Sequence, residues 1–248
     1  MEKQKDNWDK LKQYTDARIA LGRVGVSIPL AESLQFKLAH AHAKDAVYAE
    51  LKIDELIKGI ESLQLKHYVV QSQADNRSVY LQRPDLGRKL NQVSYDLLKN
   101  ETIPDYDISI IISDGLAANA VNENALPLIE KLVVLFKKNY YNLSPVIIAK
   151  QARVAIGDSI GYLLRSKMVI NLIGERPGLS ATNSMGAYLT YNPVVGLTDE
   201  RRNCISNIRP QGLNVELAAD KIFYFVKESF RLKISGINIK DNEQKKLV

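Results

Sequence analysis

A single cysteine, Cys204, is all that this 248-residue chain carries. No intramolecular disulfide can staple it, and a reducing, cytoplasmic setting is the expected one. Histidine is nearly as scarce: His40, His42 and His67 all fall in the first third. His40 and His42 stand two apart, so they point to different sides of a helix and cannot jointly bind a metal from it. No run of about 18 apolar residues occurs, so no membrane-spanning helix is expected. The opening MEKQKD lacks the apolar core of a signal peptide. GxGxxG, Walker A, HExxH and CxxC are all missing, which removes the common nucleotide, metalloprotease and redox kits.

What is there is an ordinary globular composition, 46% hydrophobic and 25% charged, with a net charge of +6. Much of the basic excess sits near the ends, at Lys3, Lys5, Lys10, Lys12, Lys240, Lys245 and Lys246. No basic helix carries interleaved aromatics and no zinc-ligand or RNP-type pattern appears, so nucleic acid is not an expected partner. Solvated tails, or a basic face for an acidic partner, account for the charge.

The pattern along the chain gives three parts. Residues 1–14 form a charged segment with Trp8 and Leu11 as its only anchors, and 15–66 a helical N-terminal domain. There Ser27 is placed to cap a helix with Pro29 early in it, and Leu30, Leu34, Leu38, Ala41 and Ala46 recur at helical spacing to face a partner. A second helix is expected near residues 53–65. From His67 to the end, strands and helices alternate. Strands are expected at 68–72, 79–81, 107–112, 145–150, 168–173, 188–191 and 204–208. Helices are expected up to about Lys99, then at 127–138, 156–164 and 215–232. The fold class is α/β: a mostly parallel, Rossmann-like sheet with helices on both faces, plus the small helical domain.

Three apolar strands end in similar loops, at Ser113-Asp114-Gly115, at Gln151-Ala152-Arg153-Val154 and at Gly174-Glu175-Arg176. A parallel sheet would set all three along its carboxyl edge, where open α/β sheets bind ligands. The rim would then carry Asp114, Arg153, Glu175 and Arg176, as a binding cleft or as a salt-bridged edge. Asp114 and Glu175 make a weak acid–base pair, and a Cys204 nucleophile lacks a base close in sequence. The residues alone describe an α/β ligand-binding domain with a helical arm and no catalytic kit.

Six stretches together carry a resemblance: ARIALGRVG (17–25), LQRPDLGR (81–88), ISDGL (112–116), VINLIGERPG (169–178), CISN (204–207) and SGIN (235–238). In this order and spacing the chain resembles the small (light) subunit of ethanolamine ammonia-lyase, from about Thr15 to Asn238. The resemblance implies a carbon–nitrogen lyase that turns ethanolamine into acetaldehyde and ammonia by a radical mechanism. Its cofactor would be adenosylcobalamin, bound with its own benzimidazole on cobalt, since the chain has no Asp-x-His-x-x-Gly loop. The implied partner is a large (heavy) subunit, a TIM-barrel protein holding the substrate, within a higher-order hetero-oligomer. This chain would supply no catalytic residue and no metal ligand. It would clamp the cobalamin through Val154, Glu175 and Cys204. Related small subunits often carry longer N-terminal extensions linked to packaging, so a bacterial microcompartment joins the cytoplasm as an implied location. Two other readings stay open: a stand-alone α/β cofactor- or nucleotide-binding protein, and a purely structural assembly subunit.

Overall fold

A computed structural model describes residues 6, 8–100 and 105–242; Lys3, Lys5, Lys245 and Lys246 lie outside them. Two helices, α1 (Leu30–Tyr48) and α2 (Ile53–Ser62), precede the first strand. Then follow β1 (His67–Gln71), α3 (Arg77–Gln82), α4 (Gln92–Lys99), β2 (Tyr106–Ser113) and α5 (Ala118–Lys138). After them come β3 (Val146–Lys150), α6 (Ile156–Leu163), β4 (Ser166–Gly174), β5 (Met185–Tyr191), β6 (Arg202–Ile208) and α7 (Val215–Leu232).

The six strands form one sheet in the order β1-β3-β2-β4-β5-β6. β1, β3, β2 and β4 pair in parallel, and β5 runs antiparallel between β4 and β6. The continuous Val/Ile runs follow from this layering, because the central strands are covered on both sides. Along β2, Ile108, Ile110 and Ile112 enter the core beneath α2, α5 and α7, whereas Ile111 enters the core beneath α4 and α6. Buried polar residues on the strands find one another. Ser109 hydrogen-bonds Ser144 at 2.7 Å, and Ser113 donates to Asn171 Oδ1 at 2.8 Å.

Three local expectations are corrected. Residues 79–81 form no strand but part of α3, because the Asn76 side chain accepts from the Val79 N–H at 3.0 Å and starts a helix. The β-branched and aromatic residues there serve packing, with Tyr80 fully buried. Ser27 does not cap α1; its backbone pairs with Val24, and the helix starts after Pro29 without a side-chain cap. α5 starts nine residues before Pro127 (118 against 127), which sits inside it. Its buried stripe of Ala118, Val121, Ala125, Leu128, Ile129 and Leu132 holds it to the sheet across the proline.

α1 differs from the other long helices. Only its Ala46 is buried, while Leu30, Leu34, Leu38 and Tyr48 are 74%, 54%, 57% and 57% exposed. No helix among the described residues is long and apolar enough to cross a membrane.

Candidate functional site

The loops after β2, β3 and β4 do lie along one edge, since Ser113 stands beside both Ala149 and Ile173 in the ladders. Their charged residues, however, do not all face outward. Asp114 is buried and accepts three backbone N–H bonds: from Gly115 and Ala152, both at 2.9 Å, and from Gln151 at 2.7 Å. It therefore knots the β2 exit to the β3 exit. Burial pushes its carboxyl above the ordinary range, while those N–H donors and Arg77 act against the shift. Arg153 also turns inward. Its guanidinium lies 4.2 Å from the Tyr80 ring centre and donates to the Tyr80 carbonyl at 3.2 Å. Arg77 stacks on the same ring at 4.8 Å. Asp114 and Glu175 engage separate partners and form no acid–base pair.

Glu175 is the rim carboxylate that stays accessible. It folds back over β5, where Gly186 leaves no side chain in its way: a Cβ there would lie 3.0 Å from Oε1. A β-bulge sets two residues of β6, Ser206 and Asn207, opposite that single glycine. The Ser206 hydroxyl donates to Oε1 at 2.5 Å. Oε2 accepts from the Ser184 hydroxyl at 2.5 Å and from the Asn207 N–H at 3.2 Å. Asn207 reaches this position with φ of 62°, in the left-handed region that asparagine tolerates better than most residues. Three donors thus fix one half-buried carboxylate.

Val154 and Cys204 belong to the same face. β4, β5 and β6 bring Asn171, Tyr188 and Cys204 side by side in one row. The buried Asn171 amide donates to the Val154 carbonyl at 3.3 Å, which places Val154 at the β4 end of that row. Cys204 stands at the β6 end, directly across from Tyr188. Cys204 is exposed. Desolvation nevertheless lifts its thiol above the usual range, and the Tyr188 hydroxyl works against that lift. A thiol held neutral is not an activated nucleophile. No Cys–His dyad forms: His67 stands 4.0 Å from Glu61 and His42 lines a cavity beside α1.

The lower half of this face is closed. α6 packs on β4 there, with Gly161 so near that a Cβ would come within 2.4 Å of Val169. A buried ion pair, Arg202 to Asp158 at 2.6 and 2.9 Å, ties α6 to β6. Above it, α5 and α7 cover β5 and β6 from the opposite side only. In the upper half Cys204 and Ser206 are exposed, and Tyr188, Val154 and Glu175 are half-buried. Cavities of about 350 Å³ lie beside α1 and near the β1 and β3 exits, and neither contains any of the three. Among the described residues no group of three or more His, Cys, Asp or Glu could hold a metal.

Residues 5–240 match the family described as "Ethanolamine ammonia-lyase light chain (EutC)". The chain belongs to this family. It is similar to the ethanolamine ammonia-lyase small subunit of Pseudomonas fluorescens, 45% identical over 240 residues, which span 96% of this chain and 88% of that protein. The small subunit from Xanthomonas campestris pv. campestris is 44% identical over 247 residues, 98% of this chain and 91% of the relative. The one from Azotobacter vinelandii is 44% identical over 240 residues, 96% and 89% of the two chains. The family match spans all three rim residues and the six stretches that carried the resemblance.

Sequence reasoning missed Asn171, Gly186, Tyr188 and Ser206. Each matters through a cross-strand neighbour, and register is invisible along a single strand. The one available signal was the alternation in MGAYLTY, which puts Gly186, Tyr188 and Thr190 on one face.

Proposed function

We propose that this chain is the cofactor-clamping subunit of an adenosylcobalamin-dependent ethanolamine ammonia-lyase, closing over the cobalamin held by a TIM-barrel large subunit. One observation carries the reading. Val154, Glu175 and Cys204, spread over fifty residues of sequence, converge on one sheet face, where Cys204 and Ser206 are exposed and Tyr188 is half-buried. The surface also suits the group chemically. A corrin is broad, apolar across its ring and fringed with amide side chains, and the face is partly exposed and fixed at its edges. Glu175 is an ionisable acceptor already oriented by three donors, so a remaining lone pair can take an amide N–H as a charge-assisted bond without ordering cost. Val154 presents apolar surface, its carbonyl direction held by Asn171. Cys204, small and neutral, allows close approach without demanding a strong partner.

When bound, adenosylcobalamin supplies radical chemistry through homolysis of its cobalt–carbon bond, which accounts for a chain with no catalytic kit of its own. This chain's residues bind, orient and exclude water; none is assigned a proton. The large-subunit contact is supported by α1, whose exposed apolar side is the kind of surface that an obligate partner covers. The segment before α1 links it to the rim: the Arg18 guanidinium lies 5.8 Å from the ring centre of Phe36 in α1 and reaches the Leu179 carbonyl, and Ser180 reaches the Asp16 carbonyl.

The test is reconstitution. The chain mixed with its large subunit and adenosylcobalamin should yield acetaldehyde from ethanolamine, and a corrin absorbance band should travel with the complex. Glu175→Gln should weaken cobalamin binding by the complex roughly tenfold, about 1.4 kcal/mol. Unchanged affinity would remove Glu175 from the site.

A further inference from the structure

The outward face of β5 reads, from bottom to top, Thr190, Tyr188 and Gly186. Thr190 is buried and accepts from Arg202 at 3.3 Å, below the ion pair with Asp158. Gly186 is buried beneath the Glu175 carboxylate. Tyr188, between them, is only half-buried. On the strand to one side, its neighbour Asn171 holds Val154, and on the other side stands Cys204. Tyr188 thus occupies the centre of the open surface, ringed by the three expected cofactor contacts and the Arg202–Asp158 pair.

We propose that Tyr188 is a fourth cobalamin-binding residue, its ring serving as the apolar floor of the face between Asn171 and Cys204; this rests on the cobalamin reading above. A tyrosine suits the place because it combines a rigid apolar body with one polar tip. Here the ring stands half-buried between the buried Asn171 and the exposed Cys204, so an apolar macrocycle laid on the face would cover it. The alternative is a sheet tyrosine left partly wet with no ligand role. It predicts no loss of cobalamin affinity when the ring is removed.

The experiment uses the complex of the full chain with its large subunit and titrates it with cyanocobalamin, read by absorbance without turnover. Tyr188→Ala should weaken binding at least tenfold with the complex still assembled. Tyr188→Phe, which keeps the ring, should stay within about threefold of the unmodified complex. Equal affinity of the Ala variant and the unmodified complex would overturn the proposal. Tyr188→Leu, which preserves bulk in the sheet, carries the same expectation and decides the matter if the Ala variant does not assemble. An unmodified complex that binds no cobalamin would instead sink the parent reading.

Discussion

Gly186 and Glu175 share one small volume: the carboxylate occupies the space where any other residue at 186 would begin its side chain, with Oε1 3.0 Å from an ideal Cβ. Gly186→Ala should therefore shift Glu175 by a few tenths of an ångström and strain its bonds to Ser184 and Ser206. A cost of about 1 kcal/mol in stability is expected, together with a several-fold loss of cobalamin affinity in the complex. Urea unfolding and absorbance titration read the two effects separately. Full affinity in the alanine variant would mean that the carboxylate direction does not matter.

Asp114→Asn tests the knot between the β2 and β3 exits. The amide offers one acceptor oxygen where the carboxylate serves three N–H groups, and it turns an N–H₂ towards donors. We expect a loss of about 2–4 kcal/mol in urea, the range for a broken buried polar network. A loss below about 0.5 kcal/mol would show that the exits are held by other contacts.

Stability should fall in alkali. Burial holds the Tyr80 and Tyr188 hydroxyls, and partial desolvation the thiol of the exposed Cys204, above their ordinary values of 10.0, 10.0 and 9.0. Above those values the unfolded chain releases protons that the native state retains. The unfolding free energy must then decrease as pH rises from about 9 upward. Thermal melts at rising pH check this, and Tyr80→Phe should flatten part of the slope. A melting temperature independent of pH in that window would contradict the burial of these groups.

Leu34→Lys with Leu38→Lys probes the arm. Both side chains are more than half exposed, so the isolated chain should lose no more than about 0.5 kcal/mol. Association with the large subunit should weaken at least tenfold, measured by calorimetry. If self-association of this chain is lost instead, with large-subunit binding intact, the occupant of the arm is a second copy.

The sheet was legible because buried parallel strands write themselves as unbroken Val/Ile runs, as in β2 and β4, and because amphipathic α7 kept its boundaries from Val215 to Leu232. Short elements were not: α3 carries strand-like residues in Val79 and Tyr80, and its identity turns on one Asn76 cap. α5 hid its first half behind three asparagines and a proline. The rim could be placed from topology, yet the inward turn of Asp114 and Arg153 depends on partners from distant loops. Val154, Glu175 and Cys204 were named by family resemblance, since nothing in their chemistry alone distinguishes them. Their meeting on one face depends on strand register, which a single chain of letters does not display.

The Arg77 guanidinium donates to the Val47 carbonyl at 2.6 Å and to the Gly115 carbonyl at 2.8 Å. It pins the last turn of α1 to the loop that Asp114 laces to Gln151 and Ala152, two residues short of Val154. The arm and the open face are consequently struts of one truss. The link from α1 to the segment before Val154 is thus made of hydrogen bonds, through Arg77 and Asp114.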